Sequence, residues 1–405
     1  MIALTLVMQS ISVGILIYSF ALFVVPWIDE FGASRRDVML AVMCSQLATG
    51  ALSPFAGRAM DRFALRHLVT IGAASLVVGL ALTSFARSIT AIVIIFSTLM
   101  PIGIVLCGTL ASQTLITRTF ERKRGMAMGL SAMGTSLGGF LFPPVVEWLI
   151  ASLGWRGAMQ VMAVFAVVAI VPLTWLILPG TAHQQTRPSV PSVTGAAAPA
   201  PTWTGRDVLR SPMFWIPVLA FIPLNAGFGA VQFNLGAIAQ DLGYGPSSAA
   251  ILISITSLAM IVGKLVFGTL GDRVDHRYLY WGAATLLTCA LLAFQYSPTY
   301  DRMLAGLIVL GLAAGASLPL MGVIYASRFG TAAFGRVMGL AQSVFMLGAV
   351  GPLFAGWVFD TTGSYDPAFM TLVVLVIPVA IGMYWLPGRR DRVTTTSREE
   401  RAPGT

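Results

Sequence analysis

Long apolar runs separated by short polar turns make up most of this chain. Each run has roughly 20 residues or more, which is the length a helix needs to cross about 30 Å of hydrocarbon. The pattern predicts twelve membrane-spanning helices, which we number as spans 1 to 12. The first six cover about 3–27, 37–56, 67–86, 89–116, 126–151 and 157–178, and the second six cover about 213–238, 248–268, 278–296, 302–326, 336–358 and 367–386.

A segment rich in Pro, Ala, Ser and Gly separates the two groups of spans. Residues 179–211 contain PSVPSVTGAAAPAPTWTG, a composition that cannot form a packed core and that predicts a flexible linker. A docking segment for a partner that binds Pro-rich sequences is the alternative. The predicted organisation is therefore a six-helix bundle at 1–178, a linker at 179–211, a second six-helix bundle at 212–387 and a disordered tail at 388–405.

The two groups also repeat one another in sequence. Gly57-x3-Asp61-Arg62-x3-Arg66, after span 2, recurs as Gly268-x3-Asp272-Arg273-x3-Arg277 after span 8. Gly125-x3-Gly129-Leu130 recurs as Gly335-x3-Gly339-Leu340 at almost the same separation. Two equivalent bundles side by side are typical of a transporter whose binding site lies between them. The sequence thus predicts an all-α membrane protein with twelve transmembrane helices in two pseudo-symmetric bundles.

Composition and charge support this interpretation and fix an orientation. The chain is 57% hydrophobic and 10% charged, whereas a soluble domain is about a quarter charged. Its net charge of +9 comes from basic residues on one side of the membrane, because the opposite side holds only Arg35, Arg36, Arg87, Arg156 and Arg302. We therefore expect the linker and both termini to be cytoplasmic. The charge does not form the basic stripe, interleaved with aromatics, that binds nucleic acid.

The sequence contains no pattern typical of a catalytic or metal site. The cysteines Cys44, Cys107 and Cys289 fall within spans, and the histidines His67, His183 and His276 lie at span ends or in the linker. We find no Ser-His-Asp arrangement, nucleotide-binding glycine loop or metal-ligand spacing. We expect a protein that is not an enzyme, needs no cofactor and, lacking an ATP site, acts as a secondary rather than a primary transporter.

Lys264, in VGKLVFG of span 8, is the only Lys or Arg well inside a span. An ionisable group at membrane depth marks a solute pathway by default, although its long stem could instead carry the ammonium to the interface. Further candidates for contact with a solute are polar residues near mid-depth. They are Tyr18, Gln46, Gln113, Asn225, Gln232, Asn234, Tyr325 and Gln342. For each of these, hydrogen bonding between helices is the alternative role.

These features resemble the major facilitator superfamily, and within it the bacterial monocarboxylate-porter and oxalate/formate-antiporter-like group. The charged loop after span 2, its copy after span 8 and the six-linker-six arrangement carry the first resemblance. The stretches Ser53–Gly72, Arg124–Leu149, Ser152–Met159 and Phe334–Phe369 carry the second. The resemblance covers the whole chain and implies alternating access, in which a central site opens first to one side and then to the other.

The resemblance also implies roles for particular residues. Gly57, Asp61, Arg62, Arg66, Gly268, Asp272, Arg273 and Arg277 match the cytoplasmic gating loops of the family; a charge cluster that only fixes orientation is the alternative. Lys264 stands where the resembled group has a cation, usually Arg, that binds a substrate carboxylate. Lys offers a point charge rather than a bidentate fork. The chain also has Met260 where animal carriers have Asp, so their proton relay is not visible.

Together these observations predict a monomeric secondary active transporter for a small organic anion, a mono- or dicarboxylate. We expect it in the cytoplasmic (inner) membrane of a bacterium. The sequence leaves open whether transport is coupled to a proton or to a counter-anion. An efflux pump for hydrophobic or cationic drugs is the first alternative, but such a pump requires an acidic residue in its cavity, and none is evident. A receptor or scaffold without transport is the second, and the repeated bundles argue against it.

Overall fold

Helices joined by short turns account for the described part of the chain. The computed structural model describes residues 1–119, 124–178, 203–271, 273–296 and 298–386. We label its twelve long helices α1 to α12, in chain order. The predicted segments 179–202 and 388–405 lie outside the described residues.

The first half contains helices α1 to α6. Their bounds are Ile2–Phe31 for α1, Arg35–Arg62 for α2, Leu65–Ser84 for α3, Ile89–Cys107 continued by Thr109–Thr119 for α4, 124–153 for α5 and 155–177 for α6. Helices α5 and α6 form one run that breaks at Gly154, where φ is 70° and ψ is 168°. Glycine adopts this left-handed conformation at little cost, and the chain can therefore reverse direction there.

The second half contains helices α7 to α12. Their bounds are Pro212–Asp241 for α7, Pro246–Gly271 for α8, His276–Ala293 for α9, Tyr300–Gly330 for α10, Ala333–Thr362 for α11 and Asp366–Gly382 for α12. Gly330, with φ of 76°, separates α10 from α11. A short helix, Gly205–Arg210, precedes α7. It lies within the segment 179–211, which we predicted to be a flexible linker without a helix.

The prediction of twelve spans is confirmed. By length and composition alone, 10 helices of the described residues can cross a membrane. One of these, Gly129–Ile177, holds two crossings because Gly154 divides it. The remaining crossing is α9, an 18-residue helix whose first turn carries His276, Arg277 and Tyr278. The predicted turn at Gly57–Arg66 is largely helical, since α2 continues to Arg62.

Packing within the two halves follows the same plan. Helix α1 crosses α5 where Gly14 meets Phe142, and α7 crosses α11 where Gly229 meets Pro352. One polar side chain spans each crossing nearby. Ser10 donates to the carbonyl of Gly134 at 2.8 Å. Its counterpart Asn225 donates to the carbonyl of Phe345 at 3.1 Å. The equivalence of these crossings is what two pseudo-symmetric bundles require.

The halves contact each other through α5–α8, through α2–α11 and, on the side opposite the linker, through α1–α7. We call that opposite side the far side. There a Cβ added to Gly236 would lie 2.1 Å from the Ala21 carbonyl, so the two backbones touch. The halves are therefore joined on the far side by a direct backbone contact.

Candidate functional site

Lys264 lies on α8 and reaches across to α5 in the other half. Its Nζ donates to Thr135 Oγ1 at 2.7 Å, to Ser136 Oγ at 2.8 Å and to the carbonyl of Ala132 at 3.2 Å. These oxygens lie eight or more residues from the start of α5, which at 1.5 Å per residue is about 12 Å or more inside the helix. In this conformation the ammonium is therefore held between the halves and does not extend to the membrane surface.

Glycines on α10 set the direction of the Lys264 side chain. A Cβ added at Gly315 would come within 2.8 Å of the Lys264 backbone nitrogen, and one at Gly311 within 2.4 Å of the Thr256 carbonyl. This GLAAG segment places small residues four apart, which lets two membrane helices pack backbone to backbone. Because α10 occupies that face of α8, the long side chain of Lys264 points to the opposite face, towards α5.

Tyr18 lies one helical turn from Lys264 on the same side of α8. Its hydroxyl is 3.2 Å from Sδ of Met260, and Met260 precedes Lys264 by four residues. Tyr18 ends a π-helical turn, Gly14–Tyr18, inside α1. Single π turns occur frequently at functional sites. The structure thus brings together two predicted site residues that are far apart in the sequence.

A polar cluster in the first half was not predicted as part of the site. Gln9 Nε2 donates to the carbonyl and the hydroxyl of Ser131, at 2.7 and 2.8 Å. Thr109 donates to Gln9 Oε1 at 3.3 Å, from a position just after the break in α4 at Gly108. Ser131 lies one turn before Thr135, so the cluster continues the row of oxygens that holds Lys264. The Gly108-Thr109 pair was the available signal, since an isolated glycine in an apolar run often marks a helix break.

Among the other predicted site residues, four bond to other helices or are fully enclosed. Asn225 bonds to α11, as described above. Asn234 donates to the carbonyl of Pro352 at 3.3 Å, and Tyr325 donates to the carbonyl of Phe214 at 3.0 Å. Asn234, Gln232 and Tyr325 are all fully buried, so in this conformation they offer no surface to a solute. For Asn225, Asn234 and Tyr325 the geometry shows hydrogen bonds between helices, whereas both polar atoms of the Gln232 amide are buried without a hydrogen-bond partner.

The remaining candidates are less enclosed. Gln46, Gln113 and Gln342 are partly buried. Gln342 lies one turn before Phe345 on α11, and its Oε1 is enclosed without a hydrogen-bond partner. Gln46 lies one turn before Gly50 on α2, whose Cβ position is 3.2 Å from Met346. Gln46 and Gln342 therefore border the α2–α11 interface, whereas Gln113 lies in the last part of α4.

An ionic cluster that sequence reasoning missed joins the halves on the far side. Arg35, at the start of α2, donates to both carboxylate oxygens of Asp241 at 2.6 and 2.5 Å, and to the Tyr365 hydroxyl at 2.7 Å. Its guanidinium lies 3.6 Å from the centre of the Phe359 ring. Asp360 accepts from the backbone N–H of Arg35 and of Arg36, at 3.2 and 2.8 Å. We call this group the far-side clamp.

The predicted cytoplasmic gating loops contact their own halves. Arg66 lies 3.6 Å from the centre of the Trp175 ring on α6. Arg277 donates to Asp275 at 3.2 Å and to the Tyr384 carbonyl at 3.4 Å. Burial acts to raise the pKa of Asp275, but hydrogen bonds from Arg277 outweigh it and lower that pKa. Arg62 and Arg273 are exposed, and Gly268 lies within α8; the side chain of Asp61 and all of Asp272 lie outside the described residues.

Within the described part of the chain, no group of three or more His, Cys, Asp or Glu side chains is arranged to hold a metal ion. The site therefore consists of one cation, hydroxyls and carbonyls at the junction of two helical bundles. This arrangement defines a membrane transporter with a polar point between its halves.

Comparison with known proteins identifies the class. The sequence model of the Major Facilitator Superfamily matches residues 3–237 and 224–404, so the chain belongs to that superfamily, whose members are transporters. A solved structure, that of a bacterial homologue of the human lysosomal transporter Spinster in an inward-facing and unoccupied conformation, superposes with a TM-score of 0.71. It is 15% identical and covers 95% of each chain, which shows the shared fold.

Relatives by sequence include proteins named monocarboxylate transporters. Monocarboxylate transporter 13 of Bos taurus is 27% identical over 375 residues, which is 91% of this chain and 85% of the relative. Monocarboxylate transporter 12 of Xenopus laevis is 26% identical, over 80% of this chain and 74% of the relative. The chain is thus a multi-pass, monocarboxylate-transporter-like member of the superfamily.

Proposed function

We propose that this protein is a secondary active transporter that moves a small organic anion, a mono- or dicarboxylate, by alternating access between its two halves. The observation that carries the proposal is the position of Lys264. Its ammonium lies between the halves, at membrane depth, among hydroxyl and carbonyl oxygens. A cation at that depth is costly unless it serves a pathway or finds partners there, and a carboxylate is the ligand whose charge it complements.

The relatives support the same class of cargo. Proteins named monocarboxylate transporters align with most of the chain, and a negatively charged solute agrees with a cationic site. Tyr18 lies next to the same site through Met260 and would contact the solute from the first half. Lys264 is a point charge with rotatable donors, so we expect it to accept carboxylates of several shapes rather than one.

Coupling and orientation form the second part of the proposal. Met260 stands one turn before Lys264, where the animal carriers have an acidic residue, so we infer anion exchange, facilitated transport or a proton route that does not use that position. The linker side would face the cytoplasm of a bacterium, with the protein acting as a monomer. Arg66 and Arg277 would then each pair with an acidic group at a neighbouring helix end when the linker side closes.

Transport assays test the proposal directly. The purified protein is reconstituted into liposomes, and uptake of labelled pyruvate, lactate and oxalate is compared with efflux of a hydrophobic cationic dye. We expect saturable uptake of at least one organic anion and no dye movement above that of empty liposomes. Dye efflux without anion uptake would contradict the proposal and favour a drug-efflux pump.

A further inference from the structure

The hydrogen-bonding capacity of Lys264 is fully used in this conformation. An ammonium has three protons and no acceptor. Three oxygens of α5 lie within hydrogen-bond distance of its Nζ: those of Thr135, Ser136 and Ala132. Each proton thus has one oxygen, and an incoming carboxylate finds no proton that is not already donated.

Thr135 is oriented to accept from the ammonium. Its own hydroxyl proton is donated to the carbonyl of Ala132 at 2.9 Å, which turns the oxygen lone pairs towards Lys264. Hydrogen bonds in which one partner is charged are shorter and stronger than neutral ones, and the 2.7 Å separation is in that range. Helix α5 therefore presents a prepared set of acceptors for a cation from the other half.

We propose that Thr135 and Ser136 are positioning residues that compete with the transported anion for the Lys264 ammonium. This inference rests on the proposed function. A carboxylate must displace at least one of these three oxygens in order to bind, and two of the three are the hydroxyls of Thr135 and Ser136. Since Lys264 belongs to the second half and α5 to the first, that displacement also removes a contact between the halves. Binding of the anion would thus loosen the α5–α8 interface, which gives the solute a direct means of starting the change in conformation.

Ser254 offers a matched control on the same pair of helices. Its hydroxyl also crosses from α8 to α5, donating to the carbonyl of Phe140 at 2.9 Å. It does not contact Lys264. Ser254→Ala therefore removes a bond between the halves without freeing the ammonium, whereas Thr135→Val and Ser136→Ala do both.

Binding of labelled pyruvate to the purified full chain is the first test. We expect the Thr135→Val/Ser136→Ala double variant to bind pyruvate about tenfold more tightly, because bonds to charged groups are the stronger ones and the freed protons become available. Ser254→Ala should stay within about twofold of the wild type. In transport, the double variant should show a lower KM together with a lower maximal rate, since tighter binding of the ground state does not speed the following step.

A distance measurement adds a readout that loss of stability alone would not produce. Leu130 on α5 and Leu270 on α8 are 40% and 37% exposed and lie towards the linker side, so Leu130→Cys and Leu270→Cys can carry spin labels. Pyruvate should lengthen the distance between the labels in the wild-type background. In the double variant the longer distance should be populated without pyruvate, and Thr135→Ser, which keeps the hydroxyl, should restore the wild-type distribution.

The outcomes separate the two proposals. Unchanged or weaker pyruvate binding in the double variant, or equal tightening in Ser254→Ala, overturns the competition between hydroxyls and anion while leaving the proposed cargo intact. A wild-type protein that binds none of pyruvate, lactate and oxalate, or a Lys264→Ala variant that binds them normally, overturns the proposed function and this inference with it.

Discussion

The α5–α8 and α2–α11 interfaces are equivalent by the internal repeat but differ in chemistry. By the spacing of the repeats, Lys264 on α8 corresponds to Ser53 on α2, and Thr135 and Ser136 on α5 correspond to Phe345 and Met346 on α11. Ser53 bonds only within its own helix, to the carbonyl of Thr49 at 2.7 Å. The two interfaces share the same arrangement of helices, but only the α5–α8 interface has a cation at membrane depth.

The far ends of the same interfaces show the opposite difference. There the far-side clamp joins Arg35 of α2 to α11 through Phe359 and Asp360, and to α7 through Asp241. The α5–α8 pair has a single hydrogen bond, from Ser247 to Glu147 at 2.8 Å. Each interface thus has one strong cationic contact, at a different depth. We infer that the clamp serves closure of the far side, whereas the Lys264 contact lies where a solute can reach it.

Lys264→Ala should have the largest effect on transport. If it does not, the proposed difference between the two interfaces is wrong. Removing the cation that lies between the halves at membrane depth should lower uptake of the transported anion by more than about 100-fold, because the solute charge loses its partner. Ser53→Ala, at the equivalent position of the other interface, should change uptake less than about twofold. Both variants should insert normally, as judged by yield and by size-exclusion profile; normal uptake by Lys264→Ala would refute the assigned role.

Gly236→Ala tests the backbone contact between α1 and α7 on the far side. The new Cβ would meet the Ala21 carbonyl at 2.1 Å, and backbone can relieve this overlap only by moving α1 away from α7. Overpacking of this kind costs about 1 to 3 kcal/mol, so far-side closure should weaken about 5- to 150-fold. Spin labels at Asp29→Cys and Thr361→Cys should report a longer distance. Gly129→Ala, which faces open space, should leave that distance unchanged.

Arg35→Ala tests whether the clamp acts between the halves. It removes two bonds to Asp241 and the contact with Phe359, and we expect far-side closure to weaken about tenfold, because bonds to charged groups contribute about 1.5 kcal/mol or more. Arg156→Ala is the matched control, since Arg156 pairs with Glu30 inside the first half. The distance between the same two labels should increase in Arg35→Ala and stay unchanged in Arg156→Ala. Equal distances in the two variants would show that the clamp does not hold the halves together.

Ser247→Ala should have the smallest effect. The bond to Glu147 is a single one at an exposed position, and such bonds contribute about 1 kcal/mol or less. We expect less than about a fivefold change in far-side closure, measured by the same pair of labels. A change as large as that of Arg35→Ala would mean that the two interfaces close by equivalent contacts after all.

The fold was predictable because its signals are local and repeated. Apolar run length gives the spans, and the Gly57 and Gly268 motifs reveal the repeat. The depth of Lys264 follows from counting residues along span 8. Its partners do not, because the direction of the side chain depends on how Gly311 and Gly315 seat α8 against α10. A sequence pattern does not show which faces of two distant helices meet.

The contacts of charged residues at span ends were the other feature that the sequence did not predict. Arg35 and Asp241 are separated by 206 residues, and each alone has the pattern of an orientation signal at the end of a helix. Asn234 and Tyr325 show the same dependence on packing. Their depth predicts contact with a solute, and in this conformation each donates to a backbone carbonyl of a neighbouring helix, a contact that leaves no mark in the sequence.

The π turn at Gly14–Tyr18 amounts to one residue more than an α-helix of the same length would contain. Each residue of an α-helix turns the chain by about 100°, so the additional one sets the angular offset between the two ends of α1. At one end Ser10 faces α5, and at the other Ala21 faces α7. Deleting a single residue here would make the helix regular, but only one of its two ends would then remain correctly aligned. We therefore expect this segment to tolerate substitution of a residue far better than deletion of one.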